Sequence, residues 1–418
     1  MQQKVNVENI QMWIEGMNRF NATPEFGTTR ILFTKPELEN RRYVKEEMEK
    51  LGLSVREDAI GNIYATLKGT DQKLSPVWTG SHIDTVPNAG KFDGMAGVVC
   101  GMEALRIIKE SGAEHKRDLT VVIYTSEEPT RFGLGCLGSR AMAGVLSMED
   151  TKNIHDKSGR SLYEKLQELS YDLDKFDEIK RKKGDVYAAV ELHIEQNSQL
   201  EKKKLPIGIV TKICAPSNYM VEVTGCQSHA GGTSMDDRRD AYAASCEMAL
   251  ALEKIAKDCR SEYNTATIGC VKVIPDATNV IPGKCIFAVD IRDCNMDTKQ
   301  ETIRKFKEAF KEIAAKRDVG LTITEENNDE PLTCNKKIVE LLEETCDELE
   351  LKYTELISGP VHDSLFVGRF AKNAMIFVPS KNGISHSPEE WTDYEEVAQG
   401  ADVLANTLLK LSNMTEEL

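Results

Sequence analysis

His82 and Asp93 carry the first chemical signal in this chain. Ser81-His82-Ile83-Asp84-Thr85-Val86-Pro87 follows the strand-like run Pro76-Val77-Trp78-Thr79-Gly80, and Asp93-Gly94 comes shortly after. One imidazole nitrogen of His82 can ligate a cation while Asp84 hydrogen-bonds the other, and Asp93 has two oxygens with which to bridge two cations. Downstream, the adjacent carboxylates of Thr125-Ser126-Glu127-Glu128-Pro129 cannot point the same way, so one can bind metal while its neighbour faces a substrate. Taken singly, a Glu-Glu pair is more often a charged strand end, and a loop histidine more often a surface residue.

Counting the seven histidines together shifts that weighing. His115 and His155 sit in polar segments, whereas His82, His193, His229, His362 and His386 lie at strand ends or in turns rich in Gly, Ser and Pro. A His, Asp, Glu, His, His set on one sheet edge suits two borderline cations, zinc, manganese, cobalt or nickel. With Asp93 bridging, each cation would have two protein ligands of its own, the shared carboxylate and a shared water.

These residues need elements to hold them. Gly94 to Gly112 has apolar residues at helical spacing (Val98, Val99, Met102, Leu105, Ile108), while Leu119 to Tyr124, Asp185 to His193 and Ala374 to Val378 read as strands. The alternation predicts an α/β fold with a mixed, mostly parallel sheet, helices on both faces, and its sites at the strand ends. Between Cys214 and Asn328 the order becomes strand (Tyr219 to Val223), helix (Asp237 to Lys257), strand (Thr265 to Val273), strand (Lys284 to Ile291), helix (Thr298 to Lys316), strand (Leu321 to Glu325). That β-α-β-β-α-β order predicts an inserted α+β domain of the ferredoxin-like kind over residues 214–328, inside a discontinuous catalytic domain of 1–213 and 329–418.

Length and charge set limits on function. A chain of 418 residues favours two domains. Its 53 basic and 68 acidic residues give a net charge of -15, with no basic arm or stripe, which speaks against nucleic acid as a partner. The short runs Lys180-Arg181-Lys182-Lys183 and Lys202-Lys203-Lys204 flank acidic residues and read as solvated loops. No apolar run approaches the roughly 18 residues that span a bilayer, and residues 1–20 do not read as a signal peptide, so no membrane partner is expected. Eleven cysteines without a C-x-x-C pair suit reduced thiols and a cytoplasmic location.

At this point the sequence resembles the di-metal hydrolases of the aminoacylase and carboxypeptidase superfamily, and within it the hydantoinase/carbamoylase amidase branch. The resemblance runs through Gly80 to Pro87, Lys91-Phe92-Asp93-Gly94, Ser126-Glu127-Glu128, Gly138-Ser139-Arg140, Glu191-Leu192-His193-Ile194-Glu195-Gln196, His229-Ala230-Gly231-Gly232-Thr233 and Ser385-His386-Ser387-Pro388-Glu389. It implies metal ligation by His82, Asp93, Glu128, His193 and His386, with Asp84 behind His82 and Glu127 as the catalytic carboxylate. It further implies His229 as an oxyanion donor, Asn279 and Arg292 as holders of a substrate carboxylate, and a homodimer made through the insert, whose residues reach the partner's active site. Gln196 and His362 are further candidates for the pocket. Asn197, Ser234 and the turn Gly359-Pro360-Val361-His362-Asp363 depart from the branch's usual residues, which leaves the ligands and base intact and puts the substrate in question.

The expected activity is hydrolysis of a linear amide or carbamoyl C–N bond in a small N-substituted amino acid, with an N-carbamoyl-L-amino acid first. Allantoate or ureidoglycolate, and then aminoacylase or dipeptidase substrates, are the alternatives within enzymes. Outside enzymes, a non-catalytic dimer that binds metal or an amino acid would be expected to have lost Glu127 or a ligand, and all are present.

Overall fold

The computed structural model of the protein describes residues 4–418. The chain forms two compact units. The first comprises residues up to Thr211 with Cys334–Leu356 and His362–Leu418; the second comprises Lys212–Thr333 with Ile357–Val361. The insertion expected over 214–328 falls within the second unit, which also takes in Ile357–Val361, a segment that no local sequence feature assigns to it.

The first unit's sheet runs in the order Ser54–Glu57, Ile63–Leu67, Leu119–Ile123, Val77–Ser81, Ala188–Ile194, Lys372–Val378, Ile207–Ile213. Its four central strands, Leu119–Ile123 to Lys372–Val378, are parallel, and those flanking them are antiparallel. Val77–Ser81, Leu119–Ile123 and Ala188–Ile194 are buried at every residue, as expected of parallel strands covered on both faces.

Side chains alternate across this sheet, so its two faces meet different partners. On one face helix Met95–Ser111 lies close, and a Cβ at Gly97 would meet the Leu192 carbonyl oxygen at 2.3 Å. The other face puts Tyr64, Trp78, Val122 and Ala189 into a cluster with Phe33, Leu137, Met142 and Phe370. Parallel strands all finish at one edge, and there the chain places His82, the Thr125–Glu128 turn and His193.

In the second unit the sheet order is Gly320–Asn328, Ala215–Thr224, Lys284–Asp293, Asn264–Ile274, all antiparallel. Lys284–Asp293 alternates strictly between half-buried and buried residues, which turns Cys285, Phe287, Val289 and Ile291 onto the core. Helices Ala241–Asp258 and Met296–Lys316 cover that face with Met248, Leu252, Phe306 and Phe310. Asp240 caps the first helix by accepting from Tyr242 N and Ala243 N, and Asn295 caps the second from Asp297 N and Thr298 N. No helix among the described residues is long and apolar enough to cross a membrane.

Candidate metal centre and active site

Asp93 is the centre of the site. Its Oδ1 stands 3.3 Å from both His82 Nε2 and His193 Nε2, while its Oδ2 stands 3.3 Å from His386 Nε2. Glu128 Oε1 approaches the same His386 Nε2 at 3.2 Å. The ligand atoms therefore fall into two groups that share Asp93: His82, Asp93 and His193 in one, Asp93, Glu128 and His386 in the other, each within 4.8 Å.

The backbone presents these side chains by local devices. His82 directly follows a buried strand, and its Nδ1 lies 3.0 Å from the Asp84 carbonyl oxygen; His193 Nδ1 lies 3.0 Å from the Ile194 carbonyl oxygen. Donation from each Nδ1–H to a carbonyl leaves both Nε2 lone pairs facing Asp93, the tautomer that metal ligation requires. Gly94 begins helix Met95–Ser111 at φ 67°, and a Cβ there would lie 2.5 Å from the His82 ring, so only glycine lets the backbone pass. Ser126, Gln196 and His386 also adopt positive φ without being glycine.

The residues fit a cation on two observations. First, His82 Nε2 is fully buried and makes no hydrogen bond even though Asp93 Oδ1 is close, as expected of two ligand atoms aimed at a shared third body. Second, imidazoles and carboxylates are the donor set of borderline divalent ions. The electrostatics agree. Burial favours the neutral Asp93 carboxyl, but the imidazoles of His193, His386 and His82 around it hold its pKa well below the usual range. Asp93 and Glu128 push His386 up to about 11. These shifts express the mutual attraction of carboxylates and imidazoles across the cluster, a place where a cation could stand in for the imidazole protons.

Glu127 sits at the edge of this cluster, with Oε2 3.8 Å from His82 Nε2. Burial raises its pKa well above the usual carboxylate range, and Glu128, Asp363 and Asp93 add to the effect against the opposing pull of His82. A carboxyl with a raised pKa at the edge of a ligand cluster is a candidate for proton transfer.

Asp84 differs from the sequence reading in its hydrogen bonds. Its carboxylate is 3.8 Å from His82 Nδ1, too far for the expected bond, because Oδ1 and Oδ2 instead accept the backbone N–H groups of Glu127 (3.3 Å) and Glu128 (3.1 Å). The backbone carbonyl of Asp84 takes over the orientation of His82. One residue thus ties the His82 loop to the turn carrying both glutamates.

Gln196 and His362 also join the cluster. Gln196 Nε2 donates to Asp93 Oδ2 at 2.7 Å while its Oε1 is buried without a partner. The buried His362 ring packs 4.5 Å from His193, centroid to centroid.

Sequence reasoning missed Glu390. It is 3% exposed; Oε1 accepts from Phe92 N (3.0 Å) and Asp93 N (3.1 Å), and Oε2 accepts from Ser385 Oγ (2.8 Å). Ser385 Oγ lies 3.0 Å from Asp93 Oδ2, so Glu390 fixes both the backbone and the setting of the shared carboxylate. Its only sequence signal is its place directly after the run Ser385-His386-Ser387-Pro388-Glu389. Glu191 was passed over as well, although it accepts from Ser81 Oγ (2.8 Å) and Ser364 Oγ (2.7 Å) behind the strand ends.

His229, Asn279 and Arg292 belong to the second unit. Rather than a free turn, His229 occupies the short strand Ser228–His229, which pairs with Val280–Ile281, and the Asn279 carbonyl accepts from Ala230 N at 2.9 Å, so these two are neighbours. His229 Nδ1 accepts from Gly231 N and Gly232 N, both at 3.0 Å, which leaves the ring proton on Nε2 as a donor. Arg292 grips Asp290 with two bonds, Nε to Oδ1 at 3.0 Å and Nη2 to Oδ2 at 3.1 Å.

Comparison with known proteins agrees with this site. Residues 78–410 match the model of "Peptidase family M20/M25/M40". The chain is 40% identical to an Arabidopsis thaliana ureidoglycolate hydrolase over 98% of its own length and 87% of the relative's. It is 37% identical to a Geobacillus stearothermophilus N-carbamoyl-L-amino acid amidohydrolase over 97% and 99%. Among solved structures, AtUAH in complex with (S)-hydroxyglycine superposes with a TM-score of 0.89 at 39% identity, covering 98% of this chain and 99% of that one. A hydantoinase/carbamoylase family amidase from Burkholderia multivorans gives 0.86 at 30% identity with the same coverage. The two ligand groups around Asp93 and the match along nearly the whole chain lead to one assignment: the chain belongs to peptidase family M20/M25/M40, in its hydantoinase/carbamoylase amidase branch, and is a metal-dependent hydrolase of non-peptide amide bonds.

Proposed function

We propose that the chain hydrolyses the carbamoyl group of an N-carbamoyl compound whose substituted nitrogen is bonded to a CH(R) carbon bearing a carboxylate. The products are carbon dioxide, ammonia and the free amino compound, in which the same CH(R) carbon carries a primary amine and the carboxylate. Water is consumed one for one, so atoms balance. N-Carbamoyl-L-amino acids (R a side chain) and ureidoglycolate (R a hydroxyl) share this frame, and both names occur among the relatives. The sequence put the amino acid derivative first; the somewhat higher identity to ureidoglycolate hydrolases makes ureidoglycolate the first compound to assay. Allantoate remains the alternative next in line.

The observation that carries the proposal is Glu127, a mostly enclosed carboxyl with raised pKa beside the paired ligand groups. His82, Asp93, His193, Glu128 and His386 would hold divalent cations, which would supply Lewis acidity and bring the pKa of water down toward neutrality. Glu127 takes the proton of the attacking water and passes it to the departing nitrogen, which leaves poorly unless protonated. Asp84 keeps the Glu127 backbone in register with His82, and Gln196 offers its unpartnered carbonyl as an acceptor. In the same reading, the insert is a ferredoxin-like lid and the dimer contact. Reaching the active site of the partner subunit, His229 donates from Nε2 to the developing oxyanion there, while Asn279 and Arg292 hold the carboxylate, Arg292 by sharing or releasing Asp290.

Glu127→Gln is the direct test. Ammonia release from ureidoglycolate and N-carbamoyl-L-amino acids should fall by about 10²–10⁴-fold with metal content retained. Near-normal turnover would sink the mechanism, whereas tight binding by the metal-loaded parent with no turnover on any ureido, allantoate or dipeptide substrate would favour a binding protein.

A further inference from the structure

Cys214 and Cys294 occupy facing positions at one end of the second unit's sheet. The ladder between Ala215–Thr224 and Lys284–Asp293 ends with Asp293 opposite Ala215, so one step further along both strands sets Cys294 opposite Cys214. Their backbone N–H groups point away from each other: Cys214 N donates to the Ser358 carbonyl at 2.8 Å and Cys294 N to the Tyr263 carbonyl at 3.2 Å. In an antiparallel ladder, facing residues without cross-strand bonds are the closer kind, with Cα atoms about 4.5 Å apart, and disulfides span Cα separations of about 4.4–6.8 Å. Directly opposite residues also turn their side chains to the same face, so the two thiols emerge together.

The surroundings agree with that register. Both thiols are free and enclosed, Cys214 completely and Cys294 with 6% exposure. Burial pushes the Cys214 thiol up, and Cys294 and Asp293 add to the effect against the pull of the Arg292 guanidinium. Ser261 Oγ stands 3.8 Å from Cys294 Sγ. Arg292 precedes Cys294 by two positions, which puts it on the same face of the sheet beside the pair.

We propose that Cys214 and Cys294 form a modification site, a dithiol that a hydroperoxide converts to a reversible disulfide. The less enclosed Cys294 reacts first: its sulfur takes one oxygen of hydrogen peroxide and becomes a sulfenic acid, with release of one water. The Cys214 sulfur then attacks the Cys294 sulfur, the S–S bond forms, the S–O bond breaks, and the oxygen leaves with the Cys214 proton as the second water. Two thiols lose two electrons in all, and one peroxide is reduced to two waters. The bridge ties the start of Ala215–Thr224, just after the chain enters the second unit at Lys212, to the end of the strand that carries Arg292. Its effect on turnover rests on the reading in which Arg292 holds the substrate carboxylate by sharing or releasing Asp290. A covalent tie two residues away stiffens that exchange, so oxidation weakens substrate binding.

The test treats the full-length protein, loaded with redox-inert zinc, with hydrogen peroxide at a level that oxidises the exposed Cys226 and Cys270. The remaining thiols are alkylated under denaturing conditions, and the unreduced digest is mapped by mass spectrometry. The expected product is a pair of peptides joined through Cys214 and Cys294, which dithiothreitol separates and which the Cys214→Ser protein does not yield. Compared with Cys214→Ser treated alike, the oxidised parent should show KM raised about threefold or more at equal kcat. Two results overturn the site: Cys214 and Cys294 both still alkylated, or Cys294 joined to Cys259 instead. A Cys214–Cys294 bond with KM unaltered would overturn the link to Arg292. If neither form turns over any ureido or carbamoyl substrate, the reading of Arg292 fails, and the peptide map still decides the disulfide.

Discussion

At the scale of single residues, the site is built by carboxylates that hold other groups as much as by those that could touch a metal. Glu390 illustrates this, since it accepts two backbone N–H groups around Asp93 and the hydroxyl of Ser385. Partners of this kind typically change metal affinity by about 10–100-fold when removed. Glu390→Ala should therefore weaken divalent cation binding by that order in a chelator-competition titration. Glu390→Gln retains an acceptor for Phe92 N and Asp93 N and should recover most of the loss. If Glu390→Ala binds metal as the parent does, the positioning role is wrong.

At the scale of elements, helix Tyr394–Asn413 offers a pH test. Asp402 on this helix accepts from Val5 N at 2.7 Å, and burial pushes its carboxyl up to about 6 from an ordinary 3.8. Because the folded value is the higher, the folded state holds more protons across that window, and Asp402 lowers stability as pH rises from about 4 to 6. Asp402→Asn keeps an acceptor for Val5 N and removes the charge. Partial solvent exposure screens the effect, so a gain of about a degree or two in Tm is expected at neutral pH, closing below about pH 4. A gain of equal size at both pH values would show that the charge is not its source.

Elements also show what the sequence made legible. Gly94 and Gly112 bracket a helix in the sequence, and the structure runs it over Met95–Ser111 between those two residues. The strand read as Leu119 to Tyr124 spans Leu119–Ile123, and that read as Asp185 to His193 begins later, at Ala188, because Gly184 and Asp185 sit in a turn. Periodicity revealed these runs because they are buried on both faces. Ser54–Glu57, with no buried residue, gave no such signal. Within the site, type and setting marked five histidines, Asp93 and the Glu127-Glu128 pair, and the resemblance implied which of them ligate: His82, Asp93, Glu128, His193 and His386, whose ligand atoms the structure groups together. The bond that Asp93 N donates to Glu390, spanning 297 residues, could not be picked out, because it depends on tertiary placement that no local spacing encodes. The same applies to the Asp84 carboxylate, whose nearness to His82 in sequence suggested a bond that the Glu127 and Glu128 backbone takes instead.

At the scale of the whole molecule, two units with separate cores imply separable stability. The Trp78 cluster belongs to the first unit and the Phe306 cluster to the second. All the grouped ligand atoms lie in the first. Removing divalent cations with a chelator should lower one thermal transition, on the order of 5–10 °C, and leave another in place, because only the unit that binds the ion gains from it. Calorimetry with and without chelator reads this directly. A single transition that shifts as one would refute the independence of the units.

The double duty of Asp84 carries a consequence for anyone seeking to redesign this enzyme. Its main-chain oxygen aligns His82 while its side chain anchors the backbone of Glu127 and Glu128, so ion preference and proton transfer are mechanically geared together. Swaps in the His82 loop aimed at a different cation will also shift the proton carrier. Retuning one without the other will need paired substitutions on both loops, and libraries that vary a single loop should yield variants in which the two properties drift together.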